Sequence, residues 1–391
     1  MSFPSVQELG LKALKSLSGK SPLARLLYYY FMGRKGGGRR ITMEDTVVAN
    51  TDPARERSVQ AITDNPNLIA VWDFAARPYS LGDILNFCIE VSMEVHRQQK
   101  AGADIYVLAD PVIPAAGSQR GYIVRENYHQ YLLDIFAAFF FCAEQRNIHI
   151  VSDRSELDTL LITAAQHDVL TYPRFTDYVD ELNQQRQHHS LFKLMNDFHQ
   201  EQGFVPKVKA PDGVTVLSNN LMFGFKPDTV FVAVHMRQRR NETATLKGGA
   251  LNRDAVFEHW LDFFHQAFKQ HPDVVFVVCG RPAEFPRSLY RLPNVLILKS
   301  YGLNLQHELA MILECDLFMG SNSGPATAAM FSDTPYYIFQ QSGNAEESAR
   351  HFDVELNAKH LKFANNKQQV VWGDTSTEGL MTCLNEFMAE R

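Results

Sequence analysis

No stretch of this sequence is long and apolar enough to span a bilayer, which takes about 18 residues. The densest apolar stretch, residues 134–143, is closed by Glu144 and Arg146. Near the start, Lys12, Lys15 and Lys20 interrupt any hydrophobic core of a secretory leader, so a cytoplasmic chain is expected. Cysteine is scarce. The five residues (Cys88, Cys142, Cys279, Cys315 and Cys383) are odd in number, far apart and set in apolar runs. That pattern predicts reduced, buried thiols rather than disulfides or a metal cluster. No Asp-x-Asp occurs, so the carboxylate clamp that usually holds a divalent metal against a nucleotide is missing. There is no G-x-x-x-x-G-K-S/T loop, and Gly36-Gly37-Gly38 lacks the preceding strand and the spacing of a dinucleotide fingerprint. His259, His265 and His271 are six apart and share no helix face, while the adjacent His188 and His189 point apart. No metal and no cofactor are therefore expected, and a charged ligand would have to be held by the protein's own groups.

Net charge is −6 over 391 residues, which gives no general attraction to nucleic acid. Its distribution is uneven. Residues 1–40 hold eight Lys/Arg against a single acid, Glu8. Basic residues interleaved with leucines and with Tyr28, Tyr29, Tyr30 and Phe31 suit either an arm docked on the body or a peripheral foot on the anionic inner face of a membrane. Gly36-Gly37-Gly38 then breaks the pattern and serves as a linker.

The length implies two domains. Apolar runs and helical periodicity alternate: a strand at 68–72, a turn at 81–83, a helix at 84–99, and a strand at 105–109. A long helix at 126–146, a strand at 148–152 and a helix at 155–165 capped by Ser155 follow. A long polar helical stretch at 175–202 leads to a connection at 206–213. Further strands are expected at 229–234, 274–279, 295–298, 317–319 and 336–339, with helices at 252–270, 305–314, 326–331 and 376–388. Such alternation predicts parallel, doubly wound sheets. The expected organisation is a basic arm at 1–40, an N-terminal domain at 41–205, a C-terminal ligand-binding domain at 206–375 and a terminal helix at 376–391.

Two polar motifs sit on the ends of expected strands. His235-Met236-Arg237-Gln238-Arg239-Arg240 follows the apolar run ending at Val234, and Arg237 and Arg239 share a face if the strand continues. Guanidinium groups bind phosphates bidentately. Gly320-Ser321-Asn322-Ser323-Gly324-Pro325-Ala326 follows another strand and opens a small-residue helix. Gly and Ser let backbone N–H groups approach an anion, the helix start is positive, and Pro325 suits the first helical turn. Gly280-Arg281 follows a third expected strand and is either a further wall of the crevice, where a nucleotide base or ribose could sit, or a plain connecting turn. In the N-terminal half, Ser80-Leu81-Gly82-Asp83 opens a helix. Asp83 is either a helix cap or a general base for a hydroxyl nucleophile, with Asp73, Asp110 and His235 as further candidates.

A strand ending in His-x-Arg, a strand ending in Gly-Arg, and Asp316-Leu317-Phe318-Met319-Gly320-Ser321-Asn322-Ser323-Gly324-Pro325 resemble the donor half of GT-B glycosyltransferases. The His235-Met236-Arg237 element is similar to the H-x-R segment of GT-B fucosyltransferases. The Ser321 to Pro325 element is similar to the D-S-G-P turn of heptosyltransferase-like enzymes, with Asn322 in place of Asp, and Gly82-Asp83 matches their first loop. The combination looks most like glycosyltransferases of bacterial surface-polysaccharide clusters. The resemblance implies two Rossmann-like, doubly wound parallel-sheet domains facing a cleft. It implies a nucleotide-diphosphate sugar as donor, held by Arg237, Arg239, Gly280, Arg281, Ser321, Asn322, Ser323, Gly324, Pro325 and Ala326. It further implies a glycan or lipid-linked acceptor, with Asp83 and His235 as catalytic residues. Glu347 and Glu355 have the eight-residue separation of retaining GT-B enzymes, but both follow the strand at 336–339, so an inverting reaction is expected. A noncatalytic nucleotide-binding relative and a nucleotide-sugar epimerase are the alternatives.

Overall fold

The computed structural model describes residues 59–74, 77–108, 128–151, 153–182, 191–237, 254–281, 285–340, 345–373 and 375–391. The arm at 1–40 and Arg239 lie outside the described residues, as does Asp110. In chain order the elements are β1 (Leu68–Asp73), α1 (Leu81–Arg97), β2 (Ala103–Leu108), α2 (Tyr128–Phe136), β3 (Gln145–Val151), α3 (Arg154–Gln166), β4 (Thr171–Tyr172) and α4 (Phe175–Leu182). After these come α5 (Leu191–Gln202), α6 (Asp212–Met222), β5 (Val230–His235), α7 (Phe257–Gln270), β6 (Val274–Cys279), β7 (Val295–Ile297) and α8 (Leu305–Glu314). The chain ends with β8 (Leu317–Ser321), α9 (Gly324–Met330), β9 (Tyr336–Gln340), α10 (Ala345–Phe352), β10 (Gln368–Trp372) and α11 (Thr377–Glu390). Among the described residues no helix is long and apolar enough to cross a membrane.

The strands form two sheets, ordered β3-β2-β1-β4 and β10-β9-β8-β5-β6-β7, and the pairings among the described residues are parallel. The fold class is therefore the expected one, α/β with two Rossmann-like parallel sheets. Packing divides the chain into two units that cut across its order. Of the described residues, the first holds 59–74, 77–78, 94–108, 144–151 and 153–182; the second holds 79–93, 128–143, 191–237, 254–281, 285–340, 345–373 and 375–391. The opening turns of α1 and the whole of α2 thus belong with the C-terminal residues.

In the first unit, Ile69, Val71, Leu108 and Val151 of the sheet pack against Leu157, Leu161 and Ala164 of α3 and Tyr178 of α4. In the second, Val230, Val232 and Val234 of β5 meet Trp260, Phe263, Phe264 and Ala267 of α7, with Leu380 and Leu384 of α11 beside them. β5 is buried at five of its six positions, so both faces are covered, which is why it reads as a continuous apolar run. All five cysteines are buried and free.

Several local expectations are corrected. α1 starts at Leu81, so Leu81, Gly82 and Asp83 form its first turn rather than a turn before it; the Ile84 N–H donates to the Ser80 carbonyl at 3.1 Å. The helix expected over 126–146 ends at Phe136. A 3-10 turn, Ala137–Phe141, follows, and β3 begins at Gln145. Ala138, Phe139 and Phe141 are all buried, a crowding that the tighter turn accommodates and one helix face does not. Asp153, not Ser155, caps α3, its carboxylate accepting from the Ser155 N–H at 2.8 Å. Within the helical stretch expected at 175–202, Phe175–Leu182 and Leu191–Gln202 are helical, and residues 183–190 lie outside the described residues.

Candidate active site

The larger sheet runs outward from β5 through β6 to β7, then returns to the other side of β5 with β8. Strand order reverses between β5 and β8. In open parallel sheets such a reversal leaves a crevice beyond the carboxyl ends of the two strands. A cavity of ≈ 450 Å³ opens there, bounded by residues at the ends of β5, β6 and β8, by the residues after β7, and by the starts of α1 and α9. All its lining residues belong to the second unit. Its size suits a small-molecule ligand.

The starts of α1 and α9 abut. A Cβ built on Gly324 would lie 2.9 Å from Cβ of Leu81, so only glycine lets the two first turns come this close. This contact carries Asp83, on the third residue of α1, to the same cavity as the Asn322-Ser323-Gly324 turn.

His235 ends β5. Its Nδ1 lies 2.8 Å from Oγ of Ser323, 88 residues further along the chain. The Ser323 hydroxyl in turn donates to the Ser321 carbonyl at 2.9 Å. Burial, with the charges of Arg237 and Lys299 adding to it, pulls the His235 imidazole down to about 3, so the ring is neutral at physiological pH. Arg237, two residues on, is 6% exposed and lines the cavity.

Gly280 directly follows β6 and takes a positive φ of 141° that side chains disfavour. Its N–H donates to Oε1 of Glu308 at 3.1 Å, and its carbonyl accepts from Nζ of Lys299 at 3.0 Å. Lys299 also pairs with Oε2 of Glu308 at 3.0 Å, closing a ring of three contacts around the Gly280 peptide. Burial raises the Glu308 carboxyl to about 7, against the opposing pull of Lys299 and the Gly280 N–H. Arg281 follows, its guanidinium 5.4 Å above the Tyr131 ring, whose hydroxyl donates to the Tyr79 carbonyl at 3.0 Å.

Of the residues expected from sequence, Asp83, His235, Arg237, Gly280, Arg281, Asn322, Ser323, Gly324 and Pro325 line the one cavity. Ser321 and Ala326 are buried and do not line it. The Ser321 hydroxyl has no hydrogen-bond partner among the described residues. Asp73 is engaged elsewhere, in the first unit, by Arg154 and Tyr178.

Sequence reasoning missed Lys299, Glu308, Tyr131 and Asp134, which also line the cavity. Two signals were available. Lys299 lies just beyond the carboxyl end of β7, where ligand-binding residues of such sheets gather. Glu308 falls on the buried stripe of α8 with Leu305, Leu309 and Ile312, a carboxylate at an apolar position. Among the described residues no group of three or more His, Cys, Asp or Glu is placed to hold a metal ion.

No protein-family profile matches the sequence, and no curated protein matches it. Among solved structures, the chain is similar to a glycosyl transferase family 9 protein from Veillonella parvula, with TM-score 0.48 and 10% identity over 84% of this chain and 98% of that one. It is similar to ADP-heptose LPS heptosyltransferase II of E. coli, with TM-score 0.47 and 12% identity over 83% and 99% of the two chains. A putative UDP-N-acetylglucosamine 2-epimerase from Listeria monocytogenes is more distant, with TM-score 0.37 and 9% identity over 83% and 88%. At these distances it is the side chains of the cavity that carry a functional reading.

Proposed function

We propose that this protein is an inverting, metal-independent GT-B glycosyltransferase that moves a sugar from a nucleotide-diphosphate donor to a hydroxyl of a glycan or lipid-linked acceptor, in bacterial surface-polysaccharide synthesis. One observation carries the reading. A single cavity at the switch point of the larger sheet brings a carboxylate, Asp83, together with Arg237, Arg281 and Lys299. Sugar transfer with inversion needs both kinds of group. A base accepts the proton of the incoming hydroxyl, and fixed positive charge stabilises the diphosphate that departs from the opposite face.

Asp83 is the base in this reading. Arg237 neutralises the donor phosphates, Arg239 assisting, and the start of α9 after Ser323 adds its positive end. Arg281 and Gly280 form the wall beside the nucleotide. The basic arm at 1–40 would place a cytoplasmic enzyme on an anionic membrane surface, where a lipid-linked acceptor is found.

Arg237→Ala is expected to raise the dissociation constant for the nucleoside diphosphate by roughly 10- to 150-fold, the loss of a charge-assisted bidentate contact worth about 1.5–3 kcal/mol. Affinity for the bare nucleoside should hardly change. A thermal-shift screen over GDP, UDP, ADP, dTDP and CMP would identify the nucleotide, and calorimetry on both proteins would then compare the affinities. Equal affinities in the two would remove Arg237 from the phosphate subsite.

Transfer is also expected to survive excess EDTA, because the charge of the leaving group falls to Arg237, Lys299 and a helix start. Activity lost on chelation and restored by Mn²⁺ or Mg²⁺ would reject that account.

A further inference from the structure

Ser323 occupies the N-cap position of α9, yet its hydroxyl makes no capping bond to the helix. It bonds Nδ1 of His235 at 2.8 Å and the carbonyl of Ser321 at 2.9 Å. A hydroxyl has one proton, and a carbonyl oxygen can only accept. The Ser321 contact therefore takes the Ser323 proton, and the His235 contact must run the other way, from Nδ1–H to Oγ. If the serine instead donated to Nδ1, two oxygen acceptors would face each other at 2.9 Å with no proton between them.

We infer that Ser323 is a positioning residue that holds His235 in its Nδ1–H tautomer, so that the cavity meets Nε2 as a hydrogen-bond acceptor and never as a donor. Among the described residues Nε2 has no protein partner, and the ring stays neutral because burial and the nearby Arg237 and Lys299 oppose a second proton. Other titratable groups around the cavity are Asp83, Asp134, Glu308, Arg281, Tyr131 and His351. Asp83 and Asp134 would favour a charged ring, whereas burial and the charges of Arg237 and Lys299 oppose it and are the larger influences on this ring.

The assignment selects the ligand chemistry at this position. A phosphate oxygen carries no proton to give and is repelled by a bare Nε2, whereas a hydroxyl donates to it. Despite its place beside Arg237, His235 thus faces a hydroxyl. On the glycosyltransferase reading of the preceding section, on which this step rests, that hydroxyl belongs to the transferred sugar and His235 contributes to sugar choice. The tautomer itself is read without any turnover, so its failure and the failure of that reading are separate results.

The test is ¹⁵N NMR of the full chain labelled at histidine, with His235 identified by the signal lost in His235→Gln. Wild type should show a protonated Nδ1 and a bare Nε2, unchanged from about pH 8 to about pH 5. Ser323→Thr keeps the hydroxyl and should keep the tautomer. Ser323→Ala removes the acceptor and should move the ring toward the Nε2–H form. A wild-type spectrum with the proton on Nε2 would overturn the inference, and that measurement stands even if Ser323→Ala does not fold. Identical tautomers in wild type and a folded Ser323→Ala would also overturn it, since Ser323 would then not be what holds the ring.

Discussion

Asp83→Asn is expected to lower turnover by roughly 10² to 10⁴ while donor affinity stays close to wild type, the range in which a positioned general base contributes. Asp83 sits on the third residue of α1, at a helix start that abuts that of α9. A carboxylate in a first helical turn has an ordinary structural role, since it complements the positive end of the helix. At a surface that interaction is worth about 0.3–1 kcal/mol, so the variant should fold with little loss. Asparagine keeps the size and polarity of the side chain but accepts no proton from an acceptor hydroxyl. The measurement is single-turnover sugar transfer at saturating donor, with donor affinity determined separately. Near-normal turnover would return Asp83 to its helix-start role. Asp134, also on the cavity wall, would then be the next carboxylate to substitute.

Asp73→Ala is expected to destabilise the first unit by about 3 kcal/mol and to leave the second unit's protection unchanged. Asp73 ends β1 and is 1% exposed. Its carboxylate accepts from Nη2 of Arg154 at 2.9 Å and from the Tyr178 hydroxyl at 2.7 Å, and Nη1 of Arg154 donates to that hydroxyl at 2.9 Å. The side chains tie the end of β1 to the starts of α3 and α4. Alanine removes the one anion of the cluster and leaves the guanidinium facing a buried phenol. Arg154 is 37% exposed and can recruit water, so the loss falls toward the low end of that for a fully buried pair. Hydrogen exchange read by mass spectrometry checks it. Peptides covering β1 and β2 should exchange faster, while those covering β5 and β6 should not. Equal protection in variant and wild type would show that the Asp73 contacts contribute little.

Asp73 and His235 also show where sequence reading stops. Each is the polar residue that ends an apolar strand, and each was a candidate base. Nothing within a few residues of either distinguishes them. Asp73 proves to be consumed by Arg154 and Tyr178, whereas His235 opens onto the cavity with one ring nitrogen held by Ser323. The strands β5, β6, β8 and β9 were legible because they are buried on both faces and bounded by polar or glycine-rich turns. β10 was not. It is a short strand at the edge of its sheet, with a Gln-Gln start and only Val370 and Val371 as apolar aliphatics.

By itself, the sequence determined the α/β class, the burial of the cysteines, and which polar residues end the strands of the larger sheet. These follow from dihedral preference and the burial pattern within a window of a few residues, which the local chain sets alone. Only the tertiary structure decided that β5 neighbours β8, that the starts of α1 and α9 abut, and that Glu308 clamps the Gly280 peptide through Lys299. Such facts depend on which distant segments share an interface. A hydrogen-bond partner 88 residues away, as Ser323 is for His235, leaves no trace in local periodicity.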